Sequence, residues 1–249
     1  MTPGSNVARL FIYFYVRGYL FNLKDDGADL MIEVKITWFG HAMFSVENPR
    51  LKLVIDPFSE NLGYPLPDIE ADIVLVSHEH SGHNNTENVK RKKHVVKGDV
   101  TVFFNNTKIE GCSSFHYEQF GTIKGNNTMY KWNMSGLTLV HMGDFGQSDF
   151  DEEQAEFVRG ASVLMIPIGG EHTIGAQKAH TIIKKVNPPI AIPMHYKIPF
   201  NHLNSSELSD FLAETDCFRY CSSSVSVSAL SLPQKTEVWV LEPHGYGSH

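Results

Sequence analysis

Cysteine is scarce in this chain, three among 249 residues. So few, in an odd number, exclude a disulfide scaffold and point to a reducing compartment, taken here as cytoplasmic. Positive charge is also short: Lys and Arg number 21 against 28 Asp and Glu, a formal net charge of −7. That excludes nucleic-acid binding through a general basic field, though not through a local groove. No apolar run reaches the roughly 20 residues that a membrane-spanning helix needs. The nearest approach, Leu10 to Phe21, is interrupted by Arg17. Lys24, Asp25 and Asp26 follow it where a secretory signal would carry small residues, so neither a membrane span nor a signal is expected. Internal repeats and low-complexity linkers are missing too. With 42 % hydrophobic and 20 % charged residues, a sizeable core can form and wholesale disorder is excluded.

What the chain has in number is histidine, thirteen residues. Histidine is a common metal ligand and general base, so their placement matters more than their count. Residues 1–30 read as an N-terminal extension, and residues 31–249 as one domain. Val34 to Trp38, Met43 to Val46 and Leu51 to Ile55 are short apolar or alternating runs separated by turn residues, as in a strand meander. Ile73 to Val76 (IVLV) suits a buried strand. Asn84 to Lys90 reads as a short helix capped by Asn. Val95-Val96, Val100 to Phe104, Lys108 to Cys112, Thr128 to Trp132 and Leu137 to Val140 form a second set of strands. Asp151 to Val158 reads as a helix with an acidic first turn. Strands follow at Val163 to Ile166 and Ile190 to Ile192. Between them Ala176 to Val186 has helical spacing and stops at Asn187-Pro188-Pro189. Ser205 to Ala213 reads as a helix with a capping box from Asn204 and Glu207. Val225 to Leu230 and Glu237 to Leu241 close the chain as strands. Two sheets with flanking helices are the natural assembly, because each sheet has apolar faces to cover.

The chemistry concentrates in Ser77-His78-Glu79-His80-Ser81-Gly82-His83, directly after the IVLV strand. Open α/β folds place their sites in loops at the carboxyl ends of strands. Three histidines at this spacing can converge on one metal ion. Other ligand-type residues follow strand ends in the same manner: His116 in Ser114-Phe115-His116, Asp144 in His141-Met142-Gly143-Asp144, and His195 in Pro193-Met194-His195-Tyr196. Several strands can therefore deliver ligands to one edge.

These words resemble the metallo-β-lactamase superfamily, whose metal signature is H-x-H-x-D-H, a later His, a Gly-Asp and a final His. The likeness extends to Trp38-Phe39-Gly40-His41-Ala42, Ile55-Asp56-Pro57-Phe58 and Ile166-Pro167-Ile168-Gly169-Gly170, and is strongest to the branch that includes L-ascorbate-6-phosphate lactonases. The resemblance implies an α/β fold, a four-layer αββα sandwich, with one or two divalent ions at a sheet edge. Zn or Mn is expected first, with Ni or Fe as alternatives. It implies that His78, His80 and His116 hold the first ion, that His83 and His195 hold the second, and that Asp144 bridges them. It also implies hydrolysis of a lactone, ester, amide or phosphodiester of a small, anionic substrate by a metal-activated water. Asp144, His195 and His41 are the catalytic candidates. His41 and Asp56 are placed near the ions, His141 just behind them, and Lys197, His172 and the Gly63-Tyr64-Pro65 loop around the mouth.

One position departs from the pattern. Gly82 stands where the family has a metal-ligand Asp, so a ligand of the second ion is missing. The readings left open are a hydrolase of altered activity and a metal- or ligand-binding descendant without turnover. A ribonuclease-like phosphodiesterase using the basic run Lys90 to Lys93 is a further alternative. Small molecules are the expected partners rather than nucleic acid or membrane, and a homo-oligomer stays open.

Overall fold

The computed structural model describes residues 13–16, 19–22, 31–104, 107–119, 122–199, 201 and 204–246. Of residues 1–30 it describes a hairpin by its backbone, β1 (Tyr13–Val16) with β2 (Tyr19–Asn22), which forms a sheet of its own. The rest of the expected N-terminal extension lies outside the described residues.

A six-stranded sheet begins with β3 (Val34–Gly40), β4 (Met43–Asn48) and β5 (Leu51–Ile55). A short parallel pair, β6 (Ile69–Glu70) with β8 (Val89–Lys90), flanks β7 (Ile73–Val76), and β9 (His94–Lys97) follows. An eight-stranded sheet carries β10 (Thr101–Phe104), β11 (Thr107–Gln119), β12 (Thr122–Met134), β13 (Leu137–His141), β14 (Val163–Pro167) and β15 (Ile190–Met194). It is completed by β16 (Phe218–Cys221) and β18 (Glu237–Leu241), while β17 (Ser224–Val227) returns to the first sheet. The strand orders are β17-β3-β4-β5-β7-β9 and β10-β11-β12-β13-β14-β15-β18-β16. Helices α1 (Glu152–Val158) and α2 (Ala176–Val186) cross between β13, β14 and β15, and α3 (Leu208–Leu212) packs beside α2.

Alternation sorts the six-stranded sheet's side chains into two faces. Ile36, Trp38, Phe44, Leu53, Ile55, Ile73 and Leu75 join Tyr130, Trp132, Leu139 and Met165 of the other sheet in one core. Phe39, Met43, Val54, Val74 and Val76 point the other way, under Phe58, Tyr64 and Ile69. This is the expected two-sheet sandwich. On the outer side of the smaller sheet, among the described residues, the cover is loops, a 3-10 turn and the short β6–β8 pair rather than α-helix.

Several elements differ from expectation, each for a local reason. Residues 84–90 form only a 3-10 turn, Thr86–Asn88, followed by β8. The amides of Asn84 and Asn85 bond Glu79 and the Phe58 carbonyl instead of capping a helix. The expected helix from Ser205 shrinks to α3, because the backbone of Ser206 pairs with Gly169 and Lys197. Its N-cap, Glu207, makes no side-chain capping bond. The strand from Val225 stops at Val227, and Ala229–Ser231 is a 3-10 turn capped by the Ser228 side chain. Strand β16 is an exposed edge strand with Phe218 and Tyr220 at the surface, so no buried face marks it in the sequence. The hairpin β11–β12 is far longer than its apolar stretches, so His116 lies within a strand and not past its end. By contrast α1 has a full capping box between Asp151 and Gln154. Likewise α2 buries Ala179, Ile182 and Ile183 and ends on Asn187 in the left-handed region.

Candidate metal centre

The site lies where β5, β7, β13 and β15 end and the β3–β4 turn and the β11–β12 hairpin come over them. His78, His80 and His83 follow β7. Their loop is tied down by Asp56, the first residue after β5, which is fully buried. Asp56 accepts from the Ser77 backbone N–H at 2.7 Å, from the Ser77 hydroxyl at 2.7 Å and from His83 Nδ1 at 2.9 Å. The Ser77 hydroxyl also lies 2.9 Å from His78 Nδ1. One carboxylate therefore fixes two rings, one directly and one through a serine, and leaves the Nε2 atoms of both toward Asp144. Glu79 points away, bonded to Lys97 and Asn84.

Asp144 follows β13 on a turn that only glycine at 143 allows. Gly143 has φ +56°, and a Cβ there would fall 2.3 Å from Asn127 Oδ1. Asn127 Oδ1 accepts from the Asp144 N–H at 2.9 Å, while its amide donates to Met142 O and Ser114 Oγ. Sequence reasoning missed Asn127, and nothing in its local pattern marks it. His116 faces the site from β11, opposite Gly125 of β12.

The geometry converges on one atom. Asp144 Oδ2 is 3.0 Å from His116 Nε2, 3.1 Å from His83 Nε2, 3.3 Å from His195 Nε2 and 3.7 Å from His78 Nε2. Three groups have ligand atoms lying within 4.8 Å of one another: His78, His80 and His116; His78, His83 and Asp144; and His41, His83 and His195. The six residues that the resemblance nominated as ligands are thus brought together, and His41 joins them.

His41 arrives through the β3–β4 turn, where the register shifts between Trp38 and Gly40. Its carbonyl accepts from Trp38 Nε1 at 3.1 Å and from the His195 backbone N–H at 3.0 Å. Its ring centroid lies 4.2 Å from that of His195 and 4.7 Å from that of His83. His141 is structural: Nε2 lies 2.9 Å from the Ala42 carbonyl and Nδ1 accepts from Gly143. Of the expected mouth residues, His172 borders the cleft with Leu62 and Glu171. Tyr64 is buried with its hydroxyl accepting from Asn201, and Lys197 lines a different depression, so neither serves as rim.

Charge and burial fit a cation. His41 Nδ1, His78 Nε2, His195 Nδ1 and Asp144 Oδ1 are buried without a hydrogen-bond partner among the described residues. Such atoms cost about 1–3 kcal/mol each when left unmet, and cations held in the cleft would relieve those that face it. Burial, then the charge of His83, holds His78 down to about 2. Burial also drives His41 well below the usual range, with His195 and His83 adding to it. For His83 burial works the other way from the result: the carboxylates of Asp144 and Asp56 outweigh it and lift the ring to about 10. Asp144 stays well below the carboxylate range, its surrounding histidines outweighing burial. The donor set of imidazoles and one carboxylate suits a divalent transition metal.

Residues 35–195 match the model of the Beta-lactamase superfamily domain. The chain belongs to the metallo-β-lactamase superfamily. Among metallo-β-lactamase relatives, a UPF0173 metal-dependent hydrolase of Carboxydothermus hydrogenoformans is 31 % identical over 196 residues, covering 66 % of this chain and 84 % of that protein. Another from Thermoplasma volcanium is 30 % identical over 193 residues, with the same coverage of 66 % and 84 %. A metallo-β-lactamase superfamily structure from Thermotoga maritima is similar with TM-score 0.69 and 31 % identity, covering 84 % of this chain and 100 % of that one.

The basic run is not an open patch. Lys90 pairs with Asp68, Arg91 with Glu70, Lys92 with Glu87 and Lys93 with Asp72. No helix among the described residues is long and apolar enough to cross a membrane.

Proposed function

We propose that this protein is a metal-dependent hydrolase acting on a small substrate through two divalent ions, with Zn or Mn the first choices and Ni or Fe as alternatives. His78, His80 and His116 would hold one ion, His83 and His195 the other, and Asp144 would bridge them. The observation that carries this reading is the single oxygen Asp144 Oδ2, ringed by four histidine nitrogens at 3.0–3.7 Å in a cleft of about 440 Å³. The relatives' name as metal-dependent hydrolases supports it.

Ions held there supply a water of lowered pKa and a Lewis acid for the oxygen of the scissile group. The chain's own part is to hold the donors rigid. Asp56 keeps the Nδ1 side of His83 occupied, so Nε2 is the free donor. Asn127 fixes the Asp144 backbone so that its carboxylate stays among the rings. Leu62 and His172 narrow the mouth and Glu171 adds a carboxylate to it. No Lys or Arg lines the cleft among the described residues, so an anionic substrate would find its counter-charge in the ions. A lactone, ester, amide or phosphodiester is the substrate class to try, with a lactone first because of the branch resemblance. The basic run is already paired with acidic neighbours, which is why a nuclease is kept here as the second reading. Three free cysteines go with a reducing compartment, the cytoplasm in this proposal.

The experiment is a screen of these substrates with Zn²⁺- and Mn²⁺-loaded protein, alongside His116→Ala. Turnover that His116→Ala abolishes supports the reading. Stoichiometric metal and no turnover on any class would leave the non-catalytic alternative, and metal retained in full by a His78→Ala/His80→Ala variant would remove the ligand assignment.

A further inference from the structure

The residue at 82 is glycine, yet its backbone lies outside the left-handed region where glycine is required, unlike Gly40, Gly125 and Gly143. Space explains it better. A Cβ on Gly82 would fall 3.0 Å from His41 Cε1 and 3.5 Å from His41 Nδ1, with Leu62 Cδ1 at 3.4 Å. The ring of His41 fills the volume into which a side chain at 82 would grow.

That ring is placed as a donor. His41 is buried at 3 % exposure, and its Nδ1 has no hydrogen-bond partner among the described residues. It makes one three-residue cluster with His83 and His195, ligand atoms within 4.8 Å of one another. Both His41 and His195 hold positive φ, 52° and 55°, and the His195 N–H donates to the His41 carbonyl, so the two rings are presented by one locked pair of turns. Structures sustain such backbone strain where the surroundings over-determine it, and functional sites are where it gathers.

We propose that His41 is the third protein ligand of the second ion, with His83 and His195, and that its imidazole takes the place of a carboxylate from position 82. This rests on the two-ion reading above and deepens it. The second site is then complete with three imidazoles and the Asp144 bridge. Three protein ligands with a position left open are what a catalytic zinc site requires. Glycine at 82 is a necessary part of this arrangement rather than a defect in it. Aspartate introduced at 82 alone would crowd His41 and not add a ligand.

The test counts ions. Protein stripped with chelator is titrated with Zn²⁺, with bound equivalents read by elemental analysis and native mass spectrometry, for wild type, His41→Asn, Gly82→Asp and His41→Asn/Gly82→Asp. Asn is chosen because it tolerates positive φ and because a neutral carboxamide is a far weaker zinc ligand than an imidazole. Wild type should take up two equivalents and His41→Asn one. The double variant, with the ring gone and a carboxylate in its volume, should regain the second. A crystal of the zinc-loaded wild type gives a reading independent of any variant: an anomalous peak about 2.0–2.1 Å from a His41 ring nitrogen. Two equivalents retained by folded His41→Asn at wild-type affinity overturn the proposal, and so does a second peak with His41 out of reach. If turnover then falls with both ions kept, His41 contacts substrate instead. A wild type that binds one ion, lost in His78→Ala but not in His41→Asn, overturns the His41 assignment and leaves half of the functional reading standing. A wild type that binds none overturns both.

Discussion

Asp56→Asn is the substitution that best separates support from ligation. Asp56 touches no candidate ion position, yet it accepts three hydrogen bonds, from Ser77 N, Ser77 Oγ and His83 Nδ1, at 2.7, 2.7 and 2.9 Å. Removing the side chain altogether would strand three buried donors at roughly 1–3 kcal/mol each, together comparable to the whole stability of a domain. Alanine would also sit badly at φ 48°. Asparagine keeps the shape, one acceptor oxygen and a tolerance for the left-handed region. What it loses is the charge and one acceptor, and its amide then faces the Nδ1–H of His83. The His83 ring turns or changes tautomer, and the Nε2 that faces Asp144 is no longer fixed. Loss of such an outer partner typically weakens metal affinity about 10–100-fold, or about 1.4–2.8 kcal/mol. The assay is competition for Zn²⁺ or Mn²⁺ against a chromophoric chelator, with circular dichroism and a thermal melt to establish folding. Affinity unchanged within twofold in a folded Asp56→Asn protein would refute the reasoning that this carboxylate aims the ligands.

Other outcomes follow from the same contacts. Asn127→Ala strands the Asp144 N–H at about 1–3 kcal/mol, so melting temperature and metal affinity should fall together; a lower melting temperature with unchanged affinity would mean that Asn127 does not position Asp144. Tyr130 lies 3.0 Å from the Val76 carbonyl, tying β12 to β7, and Tyr130→Phe should cost about 0.5–1.5 kcal/mol in denaturant unfolding. In metal-free protein the carboxylates of Asp144 and Asp56 overcome burial and raise His83 to about 10, so its contribution is full below 6.5 and fades as pH rises toward 10. Burial instead lowers His41, His78, His80 and His141, so theirs is present above 6.5 and lost as pH falls. Melting temperature of the chelated protein should therefore peak near neutrality and drop on both sides; a steady rise from pH 7 to 10 would contradict this. Lys92→Ala/Lys93→Ala breaks two surface pairs, and stability in denaturant unfolding should move by about 1 kcal/mol or less; RNA binding that this variant weakens would favour the nuclease reading instead.

The sandwich was legible because its strands announce themselves by alternation, and Leu51 to Ile55, Ile73 to Val76 and Glu237 to Leu241 fall where pattern placed them. Helix α2 was equally legible, from its apolar spacing and the Asn-Pro-Pro stop. The hairpin β11–β12 was not, because residues 113–119 have no apolar run beyond Phe115 and Tyr117 among polar residues and are held extended by cross-strand pairing. The helix expected at residues 84–90 failed because its capping asparagines are spent on neighbouring loops. At the site, the histidine loop, Asp144 and His195 fall after strand ends as their order suggests, whereas His116 lies within β11 and joins the expected set through the family resemblance. The place of Ser77 between Asp56 and His78, Asn127 and the meeting of His41 with His83 and His195 could not be read in this way. They depend on a bulge and on loops from distant strands closing over one another, which no local pattern encodes.

Anomalous diffraction at the zinc edge, on crystals of the zinc-loaded protein, tests the central claim most directly. Two peaks astride Asp144, one beside His78, His80 and His116 and the other beside His83 and His195, are the predicted result. Density in the cleft without an anomalous peak, or a peak bound by residues outside this cluster, would contradict the account.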